Sequence, residues 1–413
     1  MRGLPTYDAF ESARLSGELC GAAARTFWSS PAFGLFPHPM PASLAAWGQV
    51  TERAFSRMDQ KPDWGIDMTS TGGKEYFVNV ECRDSKPFCD LTAFNVRGRR
   101  QRDKKILLIA PMSGHHPTLL RRTVNSLLPD CDVFVTEWKN ARDIPVSIGK
   151  FDIEDFTRYI ADFIRLLGAD LHVIAVCQPA PLALAATAYL AEVAPDSQPR
   201  SLILIGGPVC PDVAPTEVTD FGRRVTMGQL EHLFVQHVGV NHAGAGRLVY
   251  PGTLQLASFI SMNLATHSKA FSQQIIRAAK RQAREHDRHN RFYDEYLAVM
   301  DLTAEFYLST VERLFKKLEL AQNRFTLGGH RIDLGRINRT AVKTVEGGKD
   351  DISAPGQCSA ALKLLTGLPD SLKASHIEPE AGHYGIFAGK VWHRNIRPLV
   401  LEFVDQQNRR NLN

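Results

Sequence analysis

The sequence predicts an α/β protein built on a mostly parallel sheet, and two observations carry that prediction. Short, unbroken apolar runs recur along the chain, and stretches of helical periodicity separate them. Ile106-Leu107-Leu108-Ile109-Ala110 and the runs at 132–136, 172–176, 201–205 and 340–345 have the length and hydrophobicity of strands covered on both faces. Helical patterns lie between them at 117–127, 153–167 and 181–194. Strand, helix, strand repeated in this order implies parallel pairing through crossover connections. At 413 residues with 44% hydrophobic content, the chain can bury a large core without a metal or disulfide staple.

Residues 1–70 read as an N-terminal helical arm. It carries Phe27, Trp28, Phe33, Phe36 and Trp47 and is interrupted by Pro31, Pro37, Pro39 and Pro41. Its aromatics need a partner surface, either the rest of the chain or an apolar particle. Residues 71–212 form the first part of the core. There the alternation Tyr76-Phe77-Val78-Asn79-Val80 predicts a half-buried edge strand ahead of the parallel ones. Residues 213–335 are too many for a crossover loop and read as an inserted helical lid, with helices at 254–263, 270–284 and 293–320. Residues 336–413 complete the core with two strands and a last helix.

Composition narrows the compartment and the partners. The N-terminus meets Asp8, Glu11, Arg14 and Glu18 before any apolar run develops, so no secretory signal is expected. No apolar stretch reaches the length of a transmembrane helix. A net charge of +5 is mild, and the basic stretch at 277–291 reads as a solvated helix face with no nucleic-acid motif beside it. The expectation is a cytoplasmic protein. Its seven cysteines are scattered, with no CxxC pair and no Cys/His cluster at zinc spacing, so neither a disulfide framework nor a structural metal site is expected. No cofactor is expected either. The question is whether one thiol is a nucleophile.

Cys177 has the context for it. The apolar run 172–176 enters Cys177-Gln178-Pro179-Ala180 directly, and a small-residue helix follows. That is the layout of a nucleophile elbow, in which a sharp strand-to-helix turn lifts a side chain above the sheet. The letters differ from G-x-S-x-G: Ala175 supplies one small residue and Pro179 replaces a glycine at a position where a missing N–H costs little. A buried small residue after a strand is the bland alternative, and the other positions decide against it. In an α/β-hydrolase the order is nucleophile, acid, histidine. Asp350 follows a late strand in Glu346-Gly347-Gly348-Lys349-Asp350-Asp351, and His383 sits between glycines in Gly382-His383-Tyr384-Gly385. Asp351 is the rival acid, and the Gly-x-x-Asp spacing favours Asp350. His376 reads as a structural histidine within a strand.

An oxyanion hole needs two N–H donors: one from Gln178, after the nucleophile, and one from the loop Ala110-Pro111-Met112-Ser113-Gly114-His115-His116, where Met112 or Ser113 can supply it. Ser113 is a competing nucleophile, disfavoured by its place after the wrong strand. His115 and His116 are candidate substrate contacts.

These residues make the chain resemble the intracellular poly(3-hydroxybutyrate) (PHB) depolymerases. The resemblance is carried by Val176-Cys177-Gln178-Pro179, the Ala110 to His115 loop, Glu346-Gly347-Gly348-Lys349-Asp350-Asp351-Ile352 and Gly382-His383-Tyr384-Gly385. Gly348 departs from it, standing where a glutamate is expected. The resemblance implies an α/β-hydrolase whose Cys177, Asp350 and His383 cleave ester bonds of amorphous storage polyester in the cytoplasm, at the granule surface. Its partners would be the granule and 3-hydroxybutyrate oligomers, with coenzyme A as an alternative acyl acceptor. A homo-oligomer is compatible with the sequence. The rival readings are a cysteine-type polyester synthase on the same fold and a non-catalytic granule-binding protein.

Overall fold

The computed structural model describes residues 6–35, 38–99 and 104–410. Phe36 and Pro37, two of the positions marking the arm, lie outside the described residues, as does the segment before Thr6. The arm begins with α1 (Thr6–Trp28) and α2 (Met40–Arg57), separated by the proline-rich stretch. They pack antiparallel and close. A Cβ on Gly21 would lie 2.4 Å from the Glu52 nitrogen, and one on Gly48 the same distance from that of Arg25. Only glycine permits this approach of two helix backbones.

Seven strands follow in the first part of the core: β1 (Met68–Thr71), β2 (Lys74–Lys86), β3 (Cys89–Val96), β4 (Lys105–Ile109), β5 (Asp132–Trp138), β6 (Leu171–Val176) and β7 (Ser201–Ile205). Helices α3 (Arg121–Leu127), α4 (Ile153–Leu167) and α5 (Ala180–Val193) connect the parallel members. Helix α4 starts at a capping box, with the Asp152 side chain accepting from the Glu154 and Asp155 N–H groups. Next come α6 (Glu217–Arg224), α7 (Met227–Phe234), β8 (Gln236–His237), β9 (Leu248–Tyr250), α8 (Gly252–Met262), α9 (Leu264–Ala279), α10 (Ala283–Tyr296), β10 (Leu302–Thr303), α11 (Ala304–Thr310) and the hairpin β11 (Thr326–Leu327) and β12 (His330–Arg331). Strands β13 (Ala341–Gly347) and β14 (Lys373–Glu378) and the helix Arg397–Arg410 end the chain's described part.

The main sheet has nine strands in the order β1-β2-β3-β5-β4-β6-β7-β13-β14. From β5 to β14 every pair is parallel. The strands β1 to β3 add an antiparallel edge. This order, with β4 inside β5 and an elbow after β6, is the α/β-hydrolase fold. Strands β6 and β7 are buried along their whole length, as their unbroken apolar runs require.

Two expectations need correction. The strand at 76–80 is half-buried as expected, with Val78 packed against the core, but it is not the outermost strand: β2 extends from Lys74 to Lys86 and β1 pairs outside it. The predicted helix over 293–320 is broken. After α10 the chain turns extended and buried: Val299 bridges His115, the Met300 N–H donates to Gly114 O at 2.7 Å, and β10 pairs with β9. Helix α11 then starts afresh at Thr303, whose hydroxyl accepts from the Phe306 N–H. The largely apolar segment 297–302, with Asp301 within it, fits either a helix face or a buried strand, and the loop carrying Gly114 and His115 selects the strand. Among the described residues no helix is long and apolar enough to cross a membrane.

Candidate active site

Strand β6 delivers Cys177 to the end of the sheet, where its backbone adopts φ +65°, a strained value for a residue with a Cβ. The turn is held on both sides: the Cys177 N–H donates to Ile205 O (2.7 Å), and Cys177 O accepts from Ala180 N–H at the start of α5 (3.0 Å). Such an elbow also needs empty space beneath it, which glycines at the end of β7 provide. A Cβ on Gly207 would lie 2.1 Å from that of Ala180 and 2.8 Å from Cys177 O. One on Gly206 would crowd Ile386, His383 and Asp350. Sequence reasoning missed both. An apolar strand ending in Gly-Gly was the available signal.

His383 opens a short turn after β14, and its Nδ1 lies 2.7 Å from Asp350 Oδ2. The same imidazole meets Cys177. Burial alone would lower the His383 pKa, but Cys177 and Asp350 outweigh it and push it up to about 10. Asp350 is itself fixed: its Oδ1 accepts from the Ile352 and Ser353 N–H groups, both at 2.9 Å. Asp351 is exposed, so the geometry pairs Asp350 with the histidine. Glu346, unremarked in the sequence except as part of a motif, is buried in β13. One oxygen accepts N–H groups of Gly356, Cys358 and Ser359 at 2.8–3.1 Å, folding the segment after Asp350 back onto the sheet. Gly348 cannot be the glutamate of the resemblance here, because Pro379 O lies 2.5 Å from where its Cβ would sit.

The loop after β4 faces the elbow. The Met112 N–H donates to Gln178 Oε1 at 3.3 Å, so that expected oxyanion donor is already engaged. The backbone N–H groups of Gln178 and Ser113 donate to no protein acceptor among the described residues. Gln178 Nε2 is buried without a partner. A cavity of about 760 Å³ opens over Cys177. Its wall includes Met112, Ser113, His115, Gln178, His383 and Tyr384, and beyond them Phe221, Phe234, Phe259, Phe306 and Phe315 from the segment between β7 and β13. His115 lines it with a neutral ring: burial lowers its pKa to about 4, and Nε2 donates to Tyr296 O at 3.1 Å. His116 does not line it, contrary to expectation. It is buried beside the loop, its pKa lowered to about 4 by burial and by Lys61 and Arg142. Ser113 lines the cavity, yet the imidazole that could activate it is committed to Cys177 and Asp350. His376, read as structural, lies 3.5 Å from Glu378. No group of three or more His, Cys, Asp or Glu side chains among the described residues could hold a metal ion.

Comparison with known proteins bears on part of this site. No curated protein matches the sequence. Solved structures with similar architecture include a hydrolase from Pseudomonas aeruginosa PA01 (13% identity, TM-score 0.45, covering 79% of this chain and 98% of that one). Others are a monoacylglycerol lipase from Paleococcus ferrophilus (12%, 0.44, 74% and 96%) and a thermophilic esterase from Thermogutta terrifontis (15%, 0.41, 83% and 98%). The family described as PHB de-polymerase C-terminus matches residues 206–408, which include Gly206, Gly207, Asp350 and His383. The resemblance read from the sequence is therefore supported over residues 206–408, just under half of the chain, while Cys177 and the loop at 110–116 lie outside the match.

Proposed function

We propose that the protein is an intracellular PHB depolymerase that hydrolyses amorphous polyester through Cys177, His383 and Asp350. The observation that carries this reading is an imidazole held between a thiol and a buried carboxylate on the floor of an apolar cavity. His383 takes the Cys177 proton as general base, which makes the sulfur the nucleophile. The thiolate attacks the ester carbonyl. His383 protonates the departing hydroxyl end, leaving a 3-hydroxyacyl thioester, and then activates water to release the acid. The Gln178 and Ser113 N–H groups are the available oxyanion donors, while Met112 must first be freed from the Gln178 side chain. His115 contacts the acyl chain as a neutral ring. The segment 213–335, with its aromatic wall, acts as the lid, and the N-terminal arm adsorbs to the granule in the cytoplasm. Coenzyme A can replace water at the thioester.

Incubation with amorphous PHB tests the reading. Wild type is expected to release soluble 3-hydroxybutyrate and oligomers, and Cys177→Ala to release none. Polymer formation from 3-hydroxybutyryl-CoA without hydrolysis would show a synthase instead, and hydrolysis retained in Cys177→Ala would remove the nucleophile.

A further inference from the structure

Tyr384 follows His383 in the short turn after β14, and its side chain lines the cavity above Cys177. Its ring is locked among aromatics, with centroids 5.8 Å from Phe387, 5.9 Å from His383 and 6.3 Å from Tyr296. The hydroxyl makes no hydrogen bond to any described residue, whereas the neighbouring cavity phenol of Tyr250 is bonded to Ser258. It lies close enough to Cys177 and Asp351 for both to disfavour its ionisation. Burial is the largest cause and Tyr296 the next, and with Cys177 and Asp351 they hold the phenol far above its ordinary range. A protonated donor with no protein partner among the described residues, on the wall of an apolar cavity beside the nucleophile, is free to donate to an acceptor that arrives with the substrate.

We propose that Tyr384 is a further catalytic residue whose O–H donates to an oxygen of the scissile ester as negative charge develops there. This rests on the ester-hydrolase reading. In the acylation step the Cys177 sulfur bonds to the carbonyl carbon, the bond to the alkoxy oxygen breaks, and that oxygen takes its proton from His383. Tyr384 keeps its own proton throughout and only stabilises the charge. Its contribution is therefore constant across the neutral pH range, unlike that of a general acid or base.

Tyr384→Phe removes the oxygen and keeps the ring packing. With p-nitrophenyl butanoate and a soluble 3-hydroxybutyrate trimer, kcat/KM is expected to fall on the order of a hundredfold. The loss should be equal from about pH 6 to about pH 9. Alkylation of Cys177 by iodoacetamide, which develops no ester charge, should proceed at the wild-type rate and so reports an intact thiol and imidazole. Wild-type kcat/KM in Tyr384→Phe, or a loss that varies with pH, would overturn the assignment. An active wild type with an equally active variant defeats this inference alone. A wild type that is alkylated but hydrolyses neither ester defeats the ester-hydrolase reading, and this inference with it.

Discussion

His383 holds its proton because two partners favour the charged ring: the Cys177 sulfur on one side and the Asp350 carboxylate, 2.7 Å from Nδ1, on the other. Its pKa is raised from 6.5 to about 10. Because the folded value exceeds the unfolded one, the folded protein binds more protons between them, and this contribution to stability falls as pH rises across that window. The pairing is thus worth most below about pH 6.5 and is lost by about pH 10. Asp350→Asn removes the charge while an amide oxygen can still accept from Ile352 and Ser353. Its stability deficit, measured by denaturant unfolding, should be largest near pH 6 and shrink toward pH 10. A deficit that does not change with pH would mean that the carboxylate acts only as a loop clamp. The turn at Cys177 and the loop carrying His383 were legible in the sequence because a strand running into a small-residue helix and a glycine-flanked histidine leave local signatures. Glu346, Gly206 and Gly207 were harder to read, since their work is done against residues distant in sequence: Glu346 on the loop at 356–359 and Gly207 on Ala180.

At the scale of elements, the parallel strands were legible because burial on both faces demands continuous apolar runs. The insertion was less so. Its segment 297–302 satisfies helical spacing, yet it runs extended because Gly114 and His115 offer it a backbone partner. That segment also ties the arm to the site. The Tyr7 hydroxyl donates to Asp301 Oδ2 at 2.6 Å, both groups being buried and 294 residues apart. Asp301 further accepts from the Gly252 N–H (2.8 Å), and its own N–H donates to Asn140 (3.0 Å). Met300, next in chain, holds Gly114 in the loop that faces the elbow. Tyr7→Phe leaves a buried carboxylate oxygen short of a donor, which should cost about 1–3 kcal/mol in denaturant unfolding. It should also lower kcat/KM on a soluble ester, because the loop carrying Ser113 loses its support. Unchanged stability and activity would mean that the arm is only appended to the enzyme.

For the whole molecule, the arm faces two ways. Its inner surface is joined to the insertion, through Tyr7 and through the pairing of Arg53 and Arg57 with Asp294. Its outer surface leaves Leu19 61% and Phe27 58% exposed, with Leu15 one turn before Leu19 also exposed. A soluble substrate meets the cavity without touching these side chains, whereas a granule presents an extended apolar surface to which they can adsorb. Full burial of a Leu or Phe is worth about 1.5–3 kcal/mol, so two such residues can shift granule binding by more than tenfold. Replacing Leu19 and Phe27 together with Ser should therefore lower hydrolysis of amorphous PHB several-fold while leaving kcat/KM on the soluble trimer unchanged. Phe27 also packs on Trp28 and Phe33 within the arm, and a trimer activity equal to wild type shows that Tyr7 still holds its place. If polymer and trimer rates fall together, the arm serves the catalytic site alone. If neither falls, the granule is met by another face of the molecule, of which the exposed Phe77 and Met68, paired across β2 and β1, is the next apolar surface to alter.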